Sequence, residues 1–414
     1  MSAPSLRRNR DFLLLQSGQA LSTFGSGIST IAYPLLVLAM TGSAAKAGYV
    51  GAAQFTPLLV FNLPAGVLAD RIDRRRLMIG ADIVGAVSLA ILGALLLTHD
   101  ATYWVVLVVA FVDSTAAVFF RAGMSGAFRS VVPLAQLPDA ASVAQARAAV
   151  VRLGAPPIGG ALFAVGRAIP FLVDAVSYAF STASLLFMRT RFQETRERDA
   201  TPLRAQLAEG LSFLSHVPFL RTTMLMIAAS NLSTTGVQLA VIVLAKDAGL
   251  SSTTIGLFVA LVGATTLLGS LGSPLLRRFF PLRTIVLSEF WAALAYLPFF
   301  VWPNVYVLAV AFAVQAFCFP NTDSAVAAYW YALTPDRLVG RVMSVSSTIR
   351  VLAVPLGPIA AGLLLTHTSA RATIGFFTAW TLGAAVVGTF ASSIRHAPPL
   401  NEVVTASASL AEAR

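Results

Sequence analysis

GVLADRIDRRR, residues 66–76, holds six charged residues among eleven, in a chain where Asp, Glu, Lys and Arg together make up 11%. Before it runs YVGAAQFTPLLVFNLPA (49–65) and after it LMIGADIVGAVSLAILGALLLT (77–98). A helix rises about 1.5 Å per residue, so apolar runs of this length reach across most or all of a hydrocarbon core of about 30 Å. A charged knot between two such runs is a loop at a membrane surface.

The same pattern fills the chain. Of its 414 residues 57% are hydrophobic, and the mean hydropathy is +0.78. A soluble domain carries about 25% charged residues, more than twice the fraction here. Apolar runs fall at 12–40, 47–69, 77–98, 102–124, 140–165, 170–188, 219–245, 253–276, 283–301, 304–331, 342–366 and 372–393. The spacing predicts an all-α integral membrane protein with twelve transmembrane helices. The first run follows SLRRNR, but it is longer than the apolar region of a signal peptide and no small-residue cleavage site follows it. It reads as a permanent helix.

The net charge of +11 invites a nucleic-acid reading, which the placement of the charge excludes. With the N-terminus inside, inner segments hold 25 of the 29 Lys and Arg; outer segments hold Lys46, Arg167, Lys246 and Arg371. That asymmetry orients both termini to the cytoplasm. The preference for Arg over Lys fits a GC-rich bacterial genome, and hence a bacterial inner membrane. A single cysteine, Cys318, leaves no internal disulfide.

The longest polar stretch, RTRFQETRERDATPLRAQLAEGLSFLSHVPFLR (189–221), has six spans on either side. The expected organisation is a six-helix bundle over 1–190, a cytoplasmic linker over 191–217, a second bundle over 218–396 and a flexible cytoplasmic tail over 397–414. From Pro202 onward the linker predicts an amphipathic helix on the inner membrane surface. The halves repeat. LSTFG (21–25) returns as LSTTG (232–236), and Gly66, Arg74 and Arg75 return as Gly269, Arg277 and Arg278. APPIGG (155–160) aligns with GPIAAG (357–362), and Arg76 with Asp82 is echoed by Arg283 with Glu289. Two parallel repeats imply pseudo-symmetric bundles, a substrate site near the midplane and rocking between two open states.

The opening loop resembles the signature of the major facilitator superfamily, with Gly66, Asp70, Arg71, Arg74 and Arg75 at signature positions, and the resemblance covers 8–395. It implies a conformational latch on the cytoplasmic side. Gly66 is expected to let helix 2 approach a neighbour, and Asp70 to meet a facing helix N-terminus. The alternative is a bare topology signal. VRLGAPPIGG (151–160) resembles the helix 5 motif of exporters in that superfamily through Gly154, Pro156, Gly159 and Gly160, with Ala155 replacing the motif's first glycine. RSVVPLAQLPDAASVAQ (129–145) and LTPDRLVGRVMSV (333–345) are similar to connections in the branch of siderophore and macrolide exporters.

Ionisable groups inside a membrane mark function or buried pairs. Asp113, mid-span 4, is the first candidate for proton coupling, because a carboxyl out of water can load and release a proton; Asp323 is the second. Arg121 and Asp323, at equivalent positions of the repeats, predict an ion pair. Asp82 and Glu289 are expected to pair with the loop arginines, and Asp174 to start span 6. Gln16, Gln19, Arg121, Arg152, Asn231, Gln238, Gln315 and Asn321 are the substrate-cavity candidates. His99, His216, His367 and His396 lie at membrane edges and suggest no metal. The two lysines precede Ala47 and Asp247, so no P-loop exists, and neither a nucleophile-elbow nor a zinc-protease motif is present.

The sequence reading is therefore a proton-driven exporter of a small amphipathic molecule such as a drug, macrolide or siderophore. It needs no cofactor, touches membrane lipid and works as a monomer. A proton-linked importer and a non-transporting sensor or scaffold are the alternatives.

Overall fold

The computed structural model describes residues 9–133, 136–190, 192 and 203–397. All regular structure among them is helical: α1 (Arg10–Thr41), α2 (Ala44–Arg71), α3 (Arg74–Leu97), α4 (Tyr103–Val131), α5 (Leu137–Val165), α6 (Ile169–Phe187), α7 (Leu203–His216), α8 (Pro218–Asp247), α9 (Ser252–Phe279), α10 (Leu282–Trp291), α11 (Leu297–Val301), α12 (Val305–Leu333), α13 (Asp336–Leu352), α14 (Leu356–His367), α15 (Ala370–Phe390) and α16 (Ser392–Arg395). Twelve spans are long and apolar enough to cross a membrane, as the sequence predicts.

Polar side chains set where the helices begin. Asn9, Ser43, Asp73, Thr102, Asn304 and Ser369 each cap a helix by accepting a hydrogen bond from a first-turn N–H. The α1–α2 turn passes through Gly42 at φ 62°, a left-handed position that glycine adopts freely. Two spans are interrupted where the sequence reading drew them continuous. α10 gives way to a 3₁₀ turn, Ala292–Tyr296, before α11 begins at Leu297-Pro298. Pro298 has no N–H for the Leu294 carbonyl, and the chain tightens there instead. α13 and α14 are parted at 353–355, where i→i−3 bonds from Val354 and Leu356 replace the α pattern ahead of Pro355 and Pro358.

Packing divides the chain into Met1–Glu197 with Ile242–Leu261, and Arg198–Val241 with Val262–Arg414. The α8–α9 turn thus goes with the first unit, although the repeat boundary puts it after residue 218. In the first unit α1 packs on α6, α5 and α2, and α4 is flanked by α2 and α3. A core near the α2–α3 loop gathers Phe12, Leu15, Met78, Phe120, Leu185 and Phe192. In the second unit Phe219, Met224, Phe290, Tyr329, Trp330 and Val342 form the matching core. Large apolar side chains such as Leu271 and Phe390 remain outside, as lipid-facing residues do.

The expected amphipathic helix is α7. It rests on α13 in the second unit, through a Glu209–Arg341 ion pair and Gly210 set against the Arg341 carbonyl. The rest of the linker, 191 and 193–202, and the tail from 398 lie outside the described residues.

Gly66 corrects the sequence reading: a Cβ there would meet nothing within 4 Å. The stripe of α2 that packs runs through Ala65 and Ala69, and Gly66 is one position off it. Its repeat partner Gly269 holds the close approach, with the Phe317 backbone and Pro320 of α12 against it. Gly269→Ala is therefore expected to destabilise the protein by about 1–3 kcal/mol through overpacking against backbone. Gly66→Ala should leave the thermal midpoint in detergent where it was. Equal shifts for the two would refute the assignment.

Candidate functional site

The charged loop is organised around Arg74. Its guanidinium lies in the slot left by Gly126 on α4, where a Cβ would collide with it. From there Nε donates to the Ala69 carbonyl at 3.3 Å, Nη1 to the Phe192 carbonyl at 3.4 Å and Nη2 to Asp70 Oδ1 at 3.2 Å. Arg75 Nη2 donates to the Leu186 carbonyl at the end of α6 at 2.7 Å. Asp73 is the α3 cap, and Arg71 is exposed. Asp70, expected to meet a facing helix N-terminus, takes Arg74 of its own loop. Alongside, Asp11 of α1 accepts from the Arg189 and Thr190 N–H groups and the Thr190 hydroxyl. The end of the first unit that carries the charged loop is thus tied by side chains to helix-end carbonyls and amides.

Deeper in the first unit lies a polar core between α1, α4 and α6. Asp113 is 7% exposed and Asp174 fully buried. Tyr178 donates to Asp113 Oδ1 at 3.0 Å and Tyr33 to Asp113 Oδ2 at 3.3 Å. Asp174 accepts from Ser29 at 2.6 Å and Ser177 at 3.0 Å, with Ser26 at 3.5 Å. Ser26 also donates to the Tyr178 hydroxyl at 3.3 Å. Among the described residues neither carboxylate has an ion pair. Asp174 was expected to be a helix-start residue; it sits a turn and a half into α6, aimed at α1. The signal that could have found it is Gly25, which on α1 clears the space the carboxylate occupies.

Asp82 and Glu289 also depart from expectation. Both are buried, and among the described residues neither has an ion pair with an arginine. Glu289 accepts from Ser230, while both Asp82 oxygens lack a hydrogen-bond partner among the described residues, although Ser181 lies beside them. Six residues of helix carry each of them about 9 Å inward of the arginines they were expected to reach.

The cavity candidates are scattered in their engagements. Gln16 Oε1 accepts from Arg147 at 2.6 Å, and its buried Nε2 has no partner among the described residues. Gln19 is buried, Gln238 half-buried, and Arg121 and Arg152 are exposed. In the second unit Gln315 accepts from Tyr296 at 2.6 Å, Asn321 donates to Phe317 of its own helix, and Asn231 donates to the Arg350 carbonyl. Asp323, expected to meet Arg121, takes its ion pair from Arg350 at 3.4 Å.

The helix 5 motif is a packing device. Gly159 lies against the Ile28 backbone of α1, Gly160 against Ser252, and Gly154 against the Phe24 ring. Gly256, at the start of α9, fits over the Pro156 carbonyl in turn. Among the described residues no group of three His, Cys, Asp or Glu side chains suits a metal.

Comparison with known proteins places this geometry. A family model described as transmembrane secretion effector matches residues 2–409. The multidrug efflux pump Tap of Mycolicibacterium fortuitum is 29% identical over 366 residues, 84% of this chain and 88% of that protein. Macrolide efflux protein A of Streptococcus pyogenes is 25% identical over 205 residues, about half of each chain. Among solved structures, a mutant of the nucleoside transporter NupG superposes with a TM-score of 0.75 at 11% identity, covering 92% of this chain and 99% of its own. A bacterial homologue of the iron transporter ferroportin gives 0.74 at 18% identity, covering 93% and 99%.

The loop geometry separates two residues the sequence treats alike. Arg74→Ala breaks three charge-assisted bonds of a largely buried side chain and is expected to cost about 2 kcal/mol. Asp70 is 63% exposed, so Asp70→Asn should change stability by less than about 1 kcal/mol. It should slow transport through the conformational equilibrium, with substrate affinity unchanged; thermal unfolding, equilibrium binding and transport rates test all three points. Arg350→Ala is expected to impair transport modestly, since the pair is partly exposed, and the double variant Arg350→Ala/Asp323→Ala to recover part of it. Additive losses would dissolve that pair.

Proposed function

We propose that this chain, which belongs to the transmembrane secretion effector family of the major facilitator superfamily, exports a small amphipathic molecule in exchange for protons. It is a multi-pass membrane transporter and not an enzyme, and efflux pumps are among its relatives. The observation that carries the outward direction is the match to a multidrug efflux pump along 84% of the chain. The substrate class, drug-, macrolide- or siderophore-like, is proposed from the same relatives and from cavity candidates that are mostly neutral amides. Transport proceeds by rocker-switch alternating access, with both termini in a bacterial cytoplasm as the basic residues indicate. One chain carries both repeats, which supports a monomer as the working unit. The proton gradient is the energy source, and no cofactor or nucleic acid takes part.

Asp113 supports the coupling. It sits mid-helix in the membrane, nearly excluded from water, held by two tyrosine hydroxyls and no cation among the described residues. Such a carboxyl can take a proton from the outer side when the protein opens outward and release it inside after the change of state.

The test uses purified protein in liposomes with a labelled macrolide as probe. Wild type is expected to concentrate the probe against its gradient when a pH gradient of the export sense is imposed. Asp113→Asn should abolish that accumulation while equilibrium exchange without a gradient persists. Accumulation in the opposite sense would make the protein an importer. Undiminished accumulation by Asp113→Asn would remove the coupling from this residue.

A further inference from the structure

We propose that Asp113 and Asp174 form one proton-binding unit, joined by a wire of two hydroxyls, Tyr178 and Ser26, along which a single proton passes between the carboxyls. The inference rests on the proton-coupled reading above, which names Asp113 alone.

The wire is continuous. Asp113 Oδ1 lies 3.0 Å from the Tyr178 hydroxyl, which lies 3.3 Å from Ser26 Oγ, which lies 3.5 Å from Asp174 Oδ1. Each hydroxyl has one proton and can accept another hydrogen bond while donating its own. With the proton on Asp113, that carboxyl donates to Tyr178, Tyr178 to Ser26 and Ser26 to the Asp174 anion. Transfer moves three protons by one place. Asp113 gives its proton to the Tyr178 oxygen, Tyr178 gives its own to Ser26, and Ser26 gives its own to Asp174 Oδ1. Three O–H bonds break and three form, both hydroxyls end neutral, and the negative charge has moved to Asp113. The hydrogen bonds then all run the other way, Ser26 to Tyr178 and Tyr178 to Asp113.

Each end is built to hold the charge. An anion on Asp174 has Ser29 and Ser177 as well as Ser26; an anion on Asp113 has Tyr33 as well as Tyr178. Neither has an ion pair among the described residues, and two ionised carboxylates sharing one water-free core would repel each other, so one proton between them resolves the conflict. The space is made by neighbouring helices. A Cβ on Gly25 would stand 2.6 Å from Asp174 Oδ1, and one on Gly85 of α3 would stand 3.0 Å from the Tyr178 ring. Other titratable groups on the packed elements are otherwise placed. Asp82 of α3 lies beside Ser181, Arg147 of α5 is held by Gln16, and Lys46 of α2 sits over the Tyr103 ring.

Tyr178→Phe removes one hydroxyl and keeps both carboxyls, Ser26→Ala removes the other, and Asp174→Asn removes the far acceptor. Liposome accumulation of the labelled macrolide under a pH gradient is measured for each, beside Asp113→Asn. The carboxyl stretch of purified protein is followed by infrared spectroscopy as pH is varied. Asp174→Asn and Tyr178→Phe are expected to lower gradient-driven accumulation on the order of tenfold or more, as loss of a proton-transfer group does. Asp174→Asn should also displace the Asp113 titration by about one pH unit or more, a change a purely structural role would not produce. Should Asp174→Asn fail to fold, Ser26→Ala, which only deletes an oxygen, decides by its accumulation. If Asp113→Asn loses coupling while Asp174→Asn, Tyr178→Phe and Ser26→Ala keep it, the wire falls and the single-carboxyl reading stands. If Asp113→Asn stays coupled, that reading falls. The infrared titration then decides separately whether the carboxyls share a proton, and an unmoved Asp113 titration overturns the unit.

Discussion

Hydrocarbon offers no hydrogen bonds, so every polar group carried into it must find its partner within the chain. The backbone answers by forming helices, and departs from them inside the spans where prolines remove a donor, near Pro298 and Pro355. Hydroxyls answer by turning back on their own helix: Thr56 donates to Ala52, Thr115 to Phe111 and Thr366 to Gly362. The carboxyls cannot do this, since they have no proton to donate when ionised. They collect hydroxyls from neighbouring helices instead, and so Asp113, Asp174 and Glu289 fix which faces of α4, α6 and α10 turn inward. Asp82, and single atoms of amides such as Gln16 and Gln315, lack a hydrogen-bond partner among the described residues and leave the rule open.

That constraint also explains how much could be read beforehand. Apolar length is a local property, so the twelve spans, the repeat and the charged loops were legible without coordinates. Helix starts were legible in principle too, because Ser43, Asp73 and Ser369 announce themselves as caps. What escaped depends on residues far apart in sequence. Nothing local to Arg74 says that its guanidinium will lie against Gly126, fifty-two positions on. Nothing local to Asp174 says that α1 will supply Ser26, Ser29 and an empty Gly25. The arginine loops misled for a physical reason: opposite charges near in sequence suggest pairing, but α3 and α10 carry Asp82 and Glu289 inward past the reach of those arginines.

The repeat, read against the structure, shows where the two units part company. Gly25 and Gly236 hold the same place in the LSTFG and LSTTG segments. The first admits Asp174 and Ser177 from α6; the second admits the ring of Phe377 from α15. Asp113 and Gln315 likewise sit 202 positions apart, the offset of the other repeat pairs on these two spans. Each accepts a hydrogen bond from a tyrosine, Tyr178 in one unit and Tyr296 in the other. The tyrosine–acceptor bond is thus retained in both units, while the acceptor is a carboxylate in one and a neutral amide in the other.

An amide cannot exchange its charge with solvent, and a phenyl ring cannot hold a proton. At these two positions the ability to titrate is therefore confined to the first unit, whereas Asp82 and Glu289 keep it in both. Duplication would have supplied two equal bundles, and two equal coupling sites would bind and release protons without distinguishing one from the other. Gln315 and Phe377 in the second unit leave no charge to satisfy at those points. The first unit retains the carboxyls and, with them, the need for Tyr33, Tyr178 and three serines to keep the charge solvated away from water. A polar network of that kind is costly to leave half satisfied. It lies wholly inside one unit, between α1, α4 and α6.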